Sequence, residues 1–200
     1  MSALKHPKVF GLGFQKTGTT TLETMLTRLG YRVAGYNQFR DFAQRQDLTL
    51  ADLEERALAL LPEYDAAKDT PWPVLYRQLD AACPGAKFIH ITRDTETWIA
   101  SVVKDFAQHP NALHRVIYGV PFPVGHEEVF CARYEAHNAE VAAYFADRPE
   151  DYLHMRLNEL SYERICPFLG RPVLDRGTPK SNTRFRKRMK RVWWRLTGGV

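Results

Sequence analysis

The order of apolar and polar positions along this chain alternates between the period of a strand and that of a helix. Residues 9–14 are a short run of apolar residues and glycine, and residues 19–29 carry Leu22, Met25, Leu26 and Leu29 at helical spacing. This predicts a strand, a tight loop and a helix. Gly30 stops the helix, and 31–33 reads as a short second strand. Residues 36–61 are expected to be helical, most clearly over 48–61. There Asp52, Glu54 and Glu55 lie near the start, where the helix dipole favours negative charge, and Pro62 closes the segment. A third strand at 64–67, a turn punctuated by Pro71 and Pro73, and a helix over 74–82 ending near Pro84 and Gly85 come next.

The run KFIHIT at 87–92 reads as a buried strand and TETWIASVVKDF at 95–106 as a helix. Residues 105–126, with Pro110, Gly119, Pro121, Pro123 and Gly125, are expected to be irregular. Phe106, Tyr118 and Phe122 are candidates there for contact with a ligand. A long helix over 127–146, a last strand over 151–157 and a short helix ending at Gly170 complete the series. Strands alternating with helices predict an α/β fold with a central, mostly parallel sheet flanked by helices, in one domain spanning 1–200.

Composition narrows the class. No apolar run approaches the ~20 residues of a membrane span, and the N-terminus lacks the charged-then-apolar pattern of a signal peptide, so a cytoplasmic protein is expected. Cys83, Cys131 and Cys166 are odd in number and widely spaced, which indicates neither a disulfide framework nor a zinc site. The net charge of +5 is uneven: ten Lys or Arg and one Asp fall in 171–200, leaving +9 there and −4 in the rest. The basic character belongs to the tail, so nucleic acid is not an expected partner. In that tail, RFRKRMKRVWWRL alternates basic and aromatic residues and predicts a helix at about 183–197. Such a helix either docks an apolar face or meets an anionic membrane surface through Trp193 and Trp194.

The loop between the first strand and helix, GFQKTGTT, carries the chemistry. Successive N–H groups in a Gly- and Thr-rich turn, backed by the positive end of a helix dipole, cradle a phosphate or sulfate. Lys16 adds a mobile positive charge, and Thr17, Thr19 and Thr20 add hydroxyl donors. The nucleotide P-loop reads G-x-x-x-x-G-K-[ST]. Gly13 and Gly18 keep its spacing, but Thr19 stands where its Lys belongs and the Lys lies two residues before Gly18.

This arrangement resembles the 5′-phosphosulfate loop of the sulfotransferases that use 3′-phosphoadenosine 5′-phosphosulfate (PAPS), roughly P-K-[ST]-G-T-T, with Gln15 in place of the usual Pro and Lys16, Thr17, Gly18, Thr19 and Thr20 in agreement. Two more segments fit in order. Arg93 ends the KFIHIT strand with Ser101 eight residues on, like the pair that binds the 3′-phosphate in that family, and Arg offers the planar fork of donors such a phosphate accepts. Lys68-Asp69-Thr70-Pro71 is similar to the segment in which an acidic residue acts as catalytic base. Lys68 and Asp69 fall at a strand's C-terminal end, where open α/β sheets gather ligand groups. A weaker likeness to the family's closing loop over 178–185 implies that Lys180 or Arg184 completes the cofactor site.

The resemblance implies a three-layer P-loop-like fold and transfer of a sulfuryl group from PAPS to a hydroxyl or amine, with 3′,5′-ADP as product and no metal. The implied partner is a small-molecule, glycan or lipid acceptor. Lys16, Asp69 and Lys68 are the implied catalytic residues, and Gln15, Lys16, Thr17, Gly18, Thr19, Thr20, Arg93 and Ser101 the cofactor-binding ones. Asp69 has a second reading as a helix N-cap, and His137 is read as a structural histidine in preference to a base. The alternatives are a P-loop nucleotide kinase or NTPase, and a non-catalytic nucleotide-binding protein with a membrane-surface tail.

Overall fold

The computed structural model describes residues 7–175 and 177–179. Its sheet has five strands, β1 (Val9–Gly11), β2 (Val33–Ala34), β3 (Ala66–Ala67), β4 (Lys87–Thr92) and β5 (Tyr152–Arg156), in the order β2-β3-β1-β4-β5. Every pairing is parallel, and central β1 sets Phe10 against Ala67 on one side and Phe88 on the other. Parallel neighbours need crossovers. They come from α1 (Thr19–Arg28), α2 (Leu50–Leu60), α3 (Tyr76–Ala82), α4 (Thr95–Phe106), α5 (Ala112–Tyr118) and α6 (Glu127–Tyr144), and α7 (Tyr162–Phe168) follows the last strand.

Side chains along β4 alternate between two cores, as the two-residue strand period requires. Phe88 packs with Phe10, Leu53, Leu79, Val141 and Phe145. Ile89 and Ile91 pack on the opposite face with Leu22, Met25, Met155 and Ile165. The sheet is therefore covered by α2, α3 and α6 on one face and by α1 and α7 on the other, which is why its strands read as apolar runs. A third cluster, Phe14, Trp98, Val102, Tyr118, Phe130 and Tyr134, supports the loop after β1. Within it Trp98 stacks on Tyr134 at 4.1 Å and donates its indole N–H to the Gln15 carbonyl at 2.8 Å.

Two expectations are corrected. The segment 36–61 is not one helix: a 3₁₀ helix covers Tyr36–Gln44, and α2 begins afresh behind Thr49. A reciprocal capping box marks that start, the Thr49 N–H donating to Asp52 and the Asp52 N–H to the Thr49 hydroxyl. The stretch expected to be irregular holds α5, whose start is capped by Asn111 Oδ1 accepting from Leu113 N at 2.9 Å and whose end is Gly119 in the left-handed region, φ 76°. The tail helix expected at 183–197, with Lys180 and Arg184, lies outside the described residues. Among the described residues no helix is long and apolar enough to cross a membrane.

His90 and His137 face each other across the β4–α6 contact. His90 donates from Nε2 to Asn138 Oδ1 at 3.0 Å and accepts at Nδ1 from the Tyr152 hydroxyl at 2.7 Å. His137 donates from Nε2 to the Leu12 carbonyl at 2.8 Å and stacks on Phe14 at 4.1 Å. His137 is thus a packed structural residue. Burial holds His90 at about 4 and His137 at about 3, well below the ordinary imidazole value. Because the unfolded chain takes up these protons first, the stability they confer is complete above the ordinary imidazole pKa and is lost as pH falls toward their folded values. Urea unfolding at pH 7 and pH 5 is expected to show a loss on the order of 2 kcal/mol per buried histidine. A midpoint that does not move between these pH values would contradict the neutral, buried assignment.

Candidate active site

The β1–α1 loop has a shape that two glycines make possible. A Cβ on Gly13 would stand 2.4 Å from the Ile91 carbonyl oxygen and 2.4 Å from Thr17 Oγ1, so the loop passes directly over β4. Gly18 enters α1 in the left-handed region at φ 95°, where a Cβ would lie 2.6 Å from Leu157 Cδ1. No side chain caps α1. Thr21 N and Leu22 N donate to the Gly18 carbonyl at 2.9 and 3.0 Å, and the amides before them stand at the helix start, a place that receives anions. Gly18, Thr19, Thr20 and Thr21 form one wall of a cavity of about 630 Å³, whose lining also includes Gln15, Lys16, Asp69, Thr70, Arg93 and Ser101.

Three segments distant in sequence meet here because the C-terminal ends of β1, β3 and β4 adjoin. Arg93 leaves β4 with its backbone fixed by Tyr134, whose hydroxyl accepts from Arg93 N at 2.8 Å and donates to Arg93 O at 3.0 Å. Its guanidinium donates to Thr97 Oγ1 at 3.1 Å and to the Lys16 carbonyl at 3.4 Å, which holds it beside the cradle. Ser101 lines the same cavity two turns along α4. Lys16 Nζ forms an ion pair with Asp105 at the end of α4, a partner with no signal in the sequence.

Gln15 is buried and has a structural task of its own. Its Nε2 donates to the Tyr118 hydroxyl at 2.7 Å and its Oε1 accepts from Thr70 Oγ1 at 2.8 Å, tying α5 and the end of β3 to the loop. Thr17 departs from the expectation of a ligand-facing hydroxyl: it is fully buried, does not line the cavity and donates to the Phe14 carbonyl at 2.7 Å, closing the loop on itself.

Lys68 also departs from the expected direct role. It is buried outside the cavity lining, its Nζ 2.8 Å from Glu23 Oε2 on α1 and 3.9 Å from Asp69 Oδ2, so it braces Asp69 from behind. Asp69 does line the cavity. Its Oδ1 accepts from Thr70 N at 3.0 Å, and it is not the N-cap of the 3₁₀ helix Trp72–Leu75, which begins behind Pro71. Burial raises the Asp69 carboxyl above the usual carboxylate range, against the pull of Lys68, the Thr70 N–H and the Thr19 hydroxyl. Of the aromatic candidates Phe106 lines the cavity, whereas Tyr118 stacks on Phe130 at 3.8 Å in the core beneath it and Phe122 stands outside the lining.

Among the described residues, three that are not glycine have positive φ: Lys16 at 72°, Asp69 at 69° and Ala107 at 46°. The first two lie in the cavity wall. Such conformations cost roughly 1–3 kcal/mol each and concentrate where function requires them.

A sheet in this order, with a glycine-bounded loop between central β1 and α1 and Arg93 at the adjoining strand end, defines a P-loop-like α/β fold. The Sulfotransferase domain family model matches residues 8–124 and 105–186, and the chain belongs to that family. No curated protein matches the sequence. A solved sulfotransferase from Alicyclobacillus acidocaldarius shares the fold with a TM-score of 0.52 at 15% identity, over 94% of this chain and 92% of its own. Shikimate kinase from Bacteroides thetaiotaomicron aligns with a TM-score of 0.45 at 11% identity over 82% of this chain and 94% of its own. Mouse sulfotransferase SULT7A1 complexed with PAP aligns with 0.48 at 17% identity over 86% of this chain and 61% of its own.

Proposed function

We propose that this chain is a PAPS-dependent sulfotransferase that moves a sulfuryl group to an acceptor hydroxyl or amine. The observation that carries the reading is the convergence of the cradle, Arg93 and Ser101 with Asp69 on one cavity in a chain of the sulfotransferase family. The amides at the start of α1 and Lys16 hold the 5′-phosphosulfate, and Arg93 and Ser101 take the 3′-phosphate. The acceptor oxygen or nitrogen attacks sulfur in line, the bond between sulfur and the 5′-phosphate oxygen breaks, and 3′,5′-ADP leaves. Asp69 receives the acceptor proton. Positioning and charge stabilisation dominate such a transfer, and here Lys16 supplies charge that Mg²⁺ supplies in nucleotide P-loops.

Calorimetric titration with 3′,5′-ADP, and separately with ATP and Mg²⁺, tests this reading. Tight binding of 3′,5′-ADP without metal is expected, weakened about 10- to 100-fold in Arg93→Ala by loss of charge-assisted hydrogen bonds. A preference for ATP with Mg²⁺, or no binding of 3′,5′-ADP, would overturn it in favour of a nucleotide kinase or a protein without turnover.

A further inference from the structure

The cavity continues past Asp69 to a second end. The strand order sets Arg93, at the end of β4, on one side of the cradle. It sets Asp69, at the end of β3, and the 3₁₀ helix Tyr36–Gln44, which follows β2, on the other. A donor lying from the cradle toward Arg93 leaves the β2–β3 side for the acceptor. That end is walled by Tyr36, Gln44, His109, Asn111 and His114, brought together because α5 packs on the 3₁₀ helix. Resting on the sulfotransferase reading, we propose that it is an acceptor subsite for a neutral polyhydroxyl group, a sugar or polyol, with His114 as the residue that orients the accepting hydroxyl.

Charge and polarity point to this class. The carboxylates and strong bases of the cavity wall are Lys16, Asp69, Arg93 and Asp105. Lys16 is paired with Asp105, and Arg93 lies against the cradle. Among the described residues, the second end has Asp69 at its border and no ammonium or guanidinium of its own with which to neutralise an acidic acceptor. Among the described residues its apolar lining comes from Ala43, Phe106, Pro110 and the Tyr36 ring and is interleaved with polar groups, unlike the predominantly apolar wall that suits a phenol or a steroid. It offers instead a phenol hydroxyl, two amides and two imidazoles. Asn111 spends Oδ1 on the start of α5 and directs Nδ2 to the Tyr36 hydroxyl at 3.4 Å.

His114 is the best-fixed member of the set. It is 2% exposed, and Phe106, Tyr118 and Phe130 meet its ring edge-on with centroids 5.0, 5.7 and 5.5 Å away. Its Nδ1 is buried without a hydrogen-bond partner among the described residues, a state that costs about 1–3 kcal/mol unless a ligand relieves it. Burial also holds the ring at about 4, neutral at physiological pH. One ring nitrogen is engaged in a hydrogen bond with the Pro121 backbone, so Nδ1 is the atom left for a ligand hydroxyl.

The test uses the full chain with sulfur-labelled PAPS against three sets of acceptors: methyl glycosides and polyols, simple phenols, and hydroxy acids. Transfer to the first set is expected. Transfer confined to phenols or hydroxy acids overturns the subsite, as does transfer to none of the three by a protein that binds 3′,5′-ADP, and each leaves the donor site standing. Failure to bind 3′,5′-ADP removes the sulfotransferase reading itself. His114→Phe is expected to raise the glycoside KM about tenfold with 3′,5′-ADP affinity unchanged, and His114→Gln to recover part of the loss. Should His114→Phe fail to fold, Tyr36→Phe removes a single hydroxyl from the same wall, with a KM increase again expected. A glycoside KM that neither variant moves overturns the assignment.

Discussion

Lys16→Ala is expected to lower kcat by roughly 10²–10³, the loss typical when one preorganised charge donor is removed from a transition state. The lysine is the one cationic side chain on the cradle loop, and sulfuryl transfer leaves new negative charge on the 5′-phosphate oxygen as the bond to sulfur breaks. Ground-state binding of 3′,5′-ADP should fall much less, because the amides at the start of α1, Arg93 and Ser101 are unaffected. Folding should also be nearly unchanged. Alanine bears the same left-handed backbone at φ 72° as lysine does, and the ion pair lost, with Asp105, lies in the cavity lining, open to water once the lysine is gone. Single-turnover transfer rates and calorimetry on the same preparations separate these effects. A kcat within tenfold of wild type would remove Lys16 from the transition state and leave it a binding residue only.

The parts of this architecture that the chain announces are those set by periodicity and by backbone chemistry. KFIHIT reads as a strand because Phe88, Ile89 and Ile91 must each find a core, and the two faces of the sheet provide one apiece. The cradle is legible because Gly13 stands where a Cβ would strike the Ile91 backbone, Gly18 takes the left-handed backbone, and α1 follows at once. Segment 105–126 hid α5 because its prolines and glycines suggest irregular chain. The signal was nonetheless present: Asn111 and Gly119 stand at the two ends of ALHRVIY as its caps, and only their distance from each other marks a helix.

Side-chain partnerships across the fold were illegible for a different reason. Asp105 meets Lys16 from 89 positions away, and Gln15 reaches Tyr118 across 103. No local pattern encodes such pairs; they follow from the strand order that brings the ends of β1, β3 and β4 together. The same order decides which residues of a motif face the ligand. Thr17 and Lys68 belong to recognisable motifs, yet neither lines the cavity: Thr17 ties the loop back to the Phe14 carbonyl, and Lys68 braces Asp69, which does line it. His114 lay in the stretch expected to be irregular. Its place in the cavity wall becomes visible only when that wall is assembled from the 3₁₀ helix and α5.

Asp69→Asn is expected to lower kcat by roughly 10²–10⁴, the usual contribution of a positioned general base. The substitution isolates the proton-accepting function, because asparagine tolerates the left-handed backbone at φ 69° and its Oδ1 keeps the bond from the Thr70 N–H. The pH profile gives the sharper reading. A base must be unprotonated to act, and burial raises the Asp69 carboxyl, so the wild-type rate should fall with decreasing pH at values above the usual carboxylate range. Lys68 opposes that rise from 3.9 Å away; Lys68→Met should therefore move the acid limb to higher pH while leaving its shape unchanged. In Asp69→Asn the limb should vanish from the residual activity. If the variant keeps wild-type kcat and the same limb, the proton goes elsewhere, and Asp69 serves only to hold Thr70 and Lys68 in place beneath the acceptor.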